Sequence, residues 1–223
     1  MHRRHVLPLC LVLPLPAHAL RLSETDAASG VRAALARGAM AAIDLLGRND
    51  GFMAHPTLKI ELPGALKDAA RLLKATGQGR KVDALVLAMN RAAEAAVPQA
   101  RDLMVQTVKQ LSVEDALRLV RERGDDAVTR FFESKTRAPL QARFLPIVTQ
   151  ATEKQDLAAK FNAVAGKAAG LGLLKSEDSN IQLYVTRKAL DGLYWLIGEE
   201  EKKIRQDPVG TGSAILKKVF GRG

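Results

Sequence analysis

Apolar residues recur every three to four positions along almost the whole chain, the spacing that lines them up on one face of an α-helix. Alanine occupies many of these positions, which favours helix and lets neighbouring helices approach closely. Strand-like alternation is confined to Thr57-Leu58-Lys59-Ile60-Glu61-Leu62, which stops at Pro63. That stretch reads as an extended connector or an isolated short strand. The pattern predicts an all-α protein, a single multi-helix bundle of about eight to ten helices over residues 20–223.

Caps and stops divide the pattern. A first helix is expected from Ser23, with Asp26 placed for a capping box, to the stop at Gly47. A polar loop, Arg48-Asn49-Asp50-Gly51, then leads through Phe52 to His55-Pro56. Pro63 suits the first turn of a second helix, with Leu66, Ala69, Leu72 and Leu73 inward, which ends at Gly77-Gln78-Gly79. Val82, Leu85, Val86, Met89 and Ala93 mark a third over 81–96, and Pro98 opens or kinks a fourth. Ser112, with Asp115 three residues on, caps a fifth that ends at Gly124, and Asp125 caps a sixth containing Phe131 and Phe132. Pro139 and Pro146 are expected to break up the stretch beyond those phenylalanines, because proline removes a backbone donor and crowds the preceding turn. A helix over 156–169, closed by Gly170-Leu171-Gly172, a Ser/Asp-rich loop over 176–180 and a short terminal helix over 213–220 complete the reading. The longest helix is Ile181 to Gln206. Leu183, Leu190, Ile197 and Ile204 recur every seventh residue along it, and Ala189, Leu193 and Leu196 widen the stripe, so it is expected at the centre of the bundle. Its far end is expected to be solvated, with Glu199 facing Lys203 and Glu201 facing Arg205.

The N-terminus reads as an export signal. Arg3 and Arg4 are followed by a short apolar run over 6–15 and by Ala17-His18-Ala19, small residues where a signal peptidase reads. The run is shorter than the roughly 20 residues that span a bilayer, and Pro8, Pro14 and Pro16 oppose a spanning helix. Cleavage after Ala19 and a periplasmic location are therefore expected. Leu9 before Cys10 speaks against lipid attachment. The paired arginines leave the general and twin-arginine routes both open. Cys10 is the one cysteine, so cleavage leaves no disulfide to form. With 34 Lys and Arg against 24 Asp and Glu the chain is basic, which fits either anionic partners such as lipid headgroups or a solvated basic surface. Aromatics make up only 4% of residues, so there is little on which to stack bases, and export separates the chain from nucleic acid. After Ala19 no apolar run approaches spanning length, which allows at most peripheral membrane contact.

Familiar catalytic arrangements are hard to find. Beyond the signal the single histidine is His55, which with no cysteine excludes the common zinc patterns and a Cys-His nucleophile. No serine sits in a Gly-x-Ser-x-Gly elbow. His55 before Pro56 reads as a loop residue. Gly166-Lys167 lacks a phosphate-loop context, since Phe161 and Ala168 stand where Gly and Ser or Thr belong. No cofactor and no metal are expected. Paired carboxylates are the remaining enzymatic route, using Asp191 or Glu199 to Glu201 on a cell-wall glycan; a solvated acidic face paired with Lys202, Lys203 and Arg205 already accounts for them.

One constellation stands out. Tyr184, Lys188, Asp191 and Trp195 share a face of the long helix, with Arg187 beside them and one turn from Asp191. Both tyrosines and the one tryptophan of the chain lie in this helix. Aromatics with a charged pair can line a pocket; the plainer reading is the edge of a core with a surface ion pair. Tyr184, Arg187, Lys188, Asp191 and Trp195 are the candidate ligand-binding residues.

Leu46-Gly47-x-x-Asp50-Gly51-Phe52, Met89-Asn90-Arg91-Ala92-Ala93-Glu94, and Lys188-Ala189-Leu190-Asp191-Gly192-Leu193 through Glu199-Glu200-Glu201-Lys202-Lys203-Ile204-Arg205 together resemble the bacterial domain-of-unknown-function family 4197, from about Leu22 to Phe220. The resemblance implies an export signal followed by a helical domain, and implies no activity and no site residues. His55 departs from it, since Asn is expected there. The leading functional expectation is a non-enzymatic periplasmic module that binds an apolar or amphipathic, lipid-like ligand. The alternatives are an assembly protein that binds an envelope partner or anionic surface, partly through the basic amphipathic C-terminal segment, and a carboxylate-based cell-wall hydrolase.

Overall fold

The computed structural model describes residues 24–75, 77, 79–122, 124, 126–153, 161 and 180–207. The expected export signal, the caps at Ser23 and Asp125, the helix over 156–169 with its glycine close, the loop over 176–179 and the terminal helix over 213–220 lie outside the described residues, as do the side chains of Ala69, Leu72 and Leu73.

The described residues are helical and contain no strand. They form α1 (Glu24–Leu46), α2 (Gly64–Ala75), α3 (Gly79–Ala96), a 3₁₀ turn (Val97–Ala100), α4 (Arg101–Gln110), α5 (Val113–Arg121), α6 (Ala127–Glu153) and α7 (Ile181–Gln206). These seven α-helices are fewer than the eight to ten expected, in part because the stretch expected to break at Pro139 and Pro146 is one continuous helix. The two prolines lie seven residues apart on the solvent side, and both are exposed. The carbonyls of Lys135 and Ala142, which lose their helical donors, belong to exposed residues and can turn to water. An interior proline costs about 3 kcal/mol. On the opposite face Phe132, Leu140, Phe144 and Val148 are buried almost completely, and each large side chain returns about 1.5–3 kcal/mol. Packing therefore overrides the local signal.

Helix α7 packs against α1 and α6, and α3 lies across both α6 and α7. This is the central position that the width of its apolar stripe predicted. One apolar cluster draws on every described helix. Leu190, Ile197 and Ile204 are buried as expected, but Leu183 is exposed. A seven-residue repeat drifts by about 20° per repeat on a straight helix, which carries its first member off the seam. The contact between α1 and α7 is close because α1 presents small residues. A β-carbon on Gly38 would stand 3.4 Å from Cβ of Glu200 and 3.5 Å from the Ile197 carbonyl.

Local caps follow the sequence. Ser112 Oγ accepts the Asp115 N–H at 3.0 Å at the start of α5. Asn180 Oδ1 accepts the Leu183 N–H at 3.0 Å at the start of α7. Gly77, beyond the end of α2, has φ of 81°, a left-handed conformation that suits glycine. The alternating stretch before Pro63 forms no strand: Thr57 and Leu58 lie in a turn closed by the Lys59 N–H on the His55 carbonyl, and residues 59–62 are an irregular connector.

Candidate functional site

The connector between α1 and α2 forms one wall of the site, and α3 holds it in place. Asp50 takes a left-handed φ of 63° as the chain turns out of α1, and a β-carbon on Gly51 would fall 2.5 Å from the Leu45 and Leu46 carbonyls. Phe52 is then driven fully inward. Its N–H and that of Met53 both donate to Glu94 Oε1, at 3.0 and 3.1 Å. Arg91 donates to Glu94 Oε2 at 2.6 Å and to Asp50 Oδ1 at 2.8 Å, and these two acids raise its pKa above the usual arginine value. Farther along, the buried Asn90 acts as a strand partner would. Its Oδ1 accepts the Ile60 N–H at 2.8 Å, and its Nδ2 donates to the Ile60 carbonyl at 2.9 Å and to that of Val86 at 2.7 Å. Connector backbone that has no sheet to join is thereby satisfied by side chains of one helix.

Helix α7 supplies the facing wall. The ring of Phe52 lies against Gly192, where a β-carbon would stand 2.7 Å from Cε1. Tyr184 donates its hydroxyl hydrogen to the Glu61 carbonyl at 2.7 Å. His55 Nδ1 accepts the N–H groups of Thr57 and Leu58, each at 3.2 Å, and the imidazole meets the Trp195 indole edge to face at 5.9 Å between centroids. His55 thus shapes the turn and props the indole, a positioning role.

An open cleft of about 590 Å³ remains between the walls. All five candidates, Tyr184, Arg187, Lys188, Asp191 and Trp195, border it, opposite connector residues 57–63 and with Gly64 and Lys67 of α2. Tyr184 is buried, with the Arg187 guanidinium 5.6 Å and the Lys188 ammonium 6.0 Å from its ring centroid, whereas Trp195 keeps 42% of its surface exposed. The first turn of α2 opens on the same cleft and adds its positive dipole end. A second recess of about 420 Å³, bordered by α6 and the far side of α7, shares Asp191 and Trp195 with the first.

The partner of Asp191 differs from the expected one. Its carboxylate accepts from Arg137 of α6 at 2.7 Å, across the bundle, where the sequence pointed to Arg187 one turn away. Arg137 also donates to Glu133 at 2.7 Å and lies 5.4 Å from the Tyr194 ring centroid. Burial lowers the pKa of Arg137, but hydrogen bonds to Asp191 and Glu133 outweigh it, so the net shift is upward. Below them Tyr194 meets Thr136 at 2.6 Å. Thr136 already donates to the Phe132 carbonyl, so the phenol is the donor. Burial pushes the Tyr194 pKa up to about 12, and the nearby Arg137 charge offsets it in part.

The remaining carboxylates have structural work. Glu201, expected to be solvated, is 5% exposed. It accepts from the Val128 and Thr129 N–H groups at 3.1 and 2.8 Å and from Thr129 Oγ1 at 2.7 Å. It therefore caps the first turn of α6 from another helix, while keeping the expected pair with Arg205 at 2.8 Å. Lys203 pairs with Glu200 at 2.6 Å, in place of the expected Glu199. Asp191 and Glu201 are thus both held in ion pairs, while Asp191 and Glu199, on the same helix, border the second recess with Glu133 of α6. Among the described residues there is no cluster of three or more His, Cys, Asp and Glu fit to hold a metal, and no helix long and apolar enough to cross a membrane.

Sequence reasoning found the α7 wall because one helical face shows in the spacing. It missed Lys59, Glu61 and Lys67 on the opposite wall, and Arg137 behind it; the alternation ending at Pro63 marked the segment without showing what it faces. A family model described as a protein of unknown function (DUF4197) matches residues 21–221. No curated protein and no solved structure matches the chain.

Proposed function

The chain belongs to the DUF4197 family of proteins of unknown function, and we propose that it is a non-enzymatic binding module that holds an amphipathic ligand in the cleft between the connector and α7. One observation carries this reading: the only tryptophan of the chain stands 42% exposed at a cleft of about 590 Å³. Ligand pockets commonly measure about 300–1,000 Å³. The walls mix Trp195, Leu58 and Gly192 with Lys59, Glu61 and Lys188. That mixture favours an amphipathic ligand over a wholly apolar one, which would strand the charged groups without water. The expected N-terminal signal would place this module in the periplasm.

The test is a titration of the purified chain with single-chain amphiphiles, kept below their micelle concentrations and read by Trp195 fluorescence and thermal stability. Saturable quenching or enhancement with a rise in Tm is the expected result. Trp195→Phe, which keeps a ring at the cleft, should retain the rise in Tm. No response to any amphiphile would overturn the proposal. Fractionation of cells expressing the full chain tests the location; recovery with the cytosol in its uncleaved form would reject it.

A further inference from the structure

The charges around the cleft are unequally satisfied. Glu61 is held by Lys59 at 3.5 Å and Asp191 by Arg137 at 2.7 Å. Lys67 and Lys188 border the same space, and neither has an acid within ion-pair distance among the described residues. Among the described residues the Lys188 ammonium meets the Tyr184 ring, 6.0 Å away, a contact that is weak at an exposed site. Asp191 is neutralised from outside the cleft, so Lys67 and Lys188 are left without an answering acid among the described residues. Arg187 and Lys188 lie over the Tyr184 ring, Lys67 borders the same cleft from α2, and the exposed indole lies about three helical turns from Tyr184 along α7.

From this separation of charge and apolar surface, and resting on the binding reading above, we infer that the ligand is an anionic amphiphile: an oxyanion head, carboxylate or phosphate, held by Lys67 and Lys188, with an apolar portion laid along Trp195. The head gains charge-assisted hydrogen bonds from ammonium groups that no acid among the described residues answers. The tail covers indole surface that now faces water, and His55 keeps the indole in position from its edge. A neutral head would forfeit the first gain, and a cationic head would be repelled.

The test compares decyl phosphate and decanoate with decyl maltoside and decyltrimethylammonium on the full chain, all below micelle concentrations, with inorganic phosphate as the head alone. Trp195 is the single tryptophan and borders both this cleft and the second recess, so its emission reads binding and the lysine variant below assigns it to this cleft. The anionic amphiphiles should bind at least about tenfold more tightly than the maltoside, the size expected for hydrogen bonds to a charged group. The double variant Lys67→Gln/Lys188→Gln should erase that preference, bringing the affinities for the anionic amphiphiles down to that for the maltoside. Inorganic phosphate should weaken decyl phosphate binding in competition. Vesicles of phosphatidylglycerol form a second arm. Binding of monomeric decyl phosphate assigns the head to a soluble amphiphile; a response confined to vesicles, and lost in the double variant, assigns it to a membrane lipid. Equal affinity for anionic and neutral heads, or a preference that survives in the double variant, would overturn the inference and leave the binding module standing. Silence toward every amphiphile and vesicle would overturn both.

Discussion

The ring of Phe52 stands 2.7 Å from the place a β-carbon on Gly192 would take, closer than carbon atoms approach. Two segments that the sequence singles out, 46–52 and 188–193, are thereby locked face to face, and the third, 89–94, ties down the first through Glu94. The connector wall of the cleft is therefore set by three segments far apart in the chain.

Gly192→Ala should destabilise the protein by about 1–3 kcal/mol, because the buried ring has nowhere to move and overpacking costs that much. Gly198→Ala, on the same helix, should do the opposite. Its β-carbon would meet Thr129 at an ordinary 3.8 Å, and alanine gains up to about 1 kcal/mol in a helix. Urea unfolding of the pair checks both signs; equal effects would show that Phe52 does not rest on Gly192.

Glu201→Ala should cost on the order of 3 kcal/mol, the loss expected when one partner of a buried, hydrogen-bonded ion pair is removed. It strips two α6 backbone N–H groups of their carboxylate acceptor and removes the Glu201–Arg205 ion pair. Glu201→Gln keeps an acceptor for the Thr129 N–H and should cost less. Amide hydrogen exchange should localise the damage to the first turn of α6, and protection unchanged there would refute the cap.

His55→Ala should lower stability by about 1 kcal/mol through loss of the acceptor for Thr57 and Leu58. His55→Asn puts an acceptor oxygen at the position of Nδ1 and should recover most of that loss. Both variants remove the imidazole edge and should shift Trp195 emission. Full retention of emission in His55→Ala would show that the ring contact is absent in solution.

Tyr194 should make the fold sensitive to alkali. Its folded pKa of about 12 lies above the ordinary tyrosine value of 10.0, so between those values the unfolded chain loses the proton while the folded chain keeps it. The stabilisation is whole below the unfolded pKa and disappears as pH rises through the folded one, on the order of 2–3 kcal/mol in all. Tyr194→Phe should flatten the decline, at a cost of about 1 kcal/mol near neutrality for the lost Thr136 hydrogen bond. Unfolding followed across alkaline pH, with tyrosinate absorbance, checks the slope; the same slope in Tyr194→Phe would assign it to other groups.

Much of the helical plan was legible because it is local. The Ser112 cap, the Gly77 stop and the apolar stripes of α1, α3 and α7 each lie within a few turns, and helical spacing alone put Tyr184, Lys188, Asp191 and Trp195 on one face. The misses share a cause. Glu201 looks solvated beside Lys202 and Lys203 until α6, more than 70 residues earlier, brings its N-terminus to it. Asn90 and Glu94 look like ordinary polar helix residues until the connector presents unpaired backbone to them.

By itself the sequence determined an all-helical chain, the bounds of most helices and the composition of one cleft wall, because side-chain periodicity and capping act over neighbouring residues. Only the tertiary structure decided that α6 runs unbroken through Pro139 and Pro146, that Arg137 rather than Arg187 meets Asp191, and that the connector closes a cleft against Trp195. Those outcomes depend on which surfaces leave water together and which buried polar groups find partners, and both are set by contacts between residues distant along the chain.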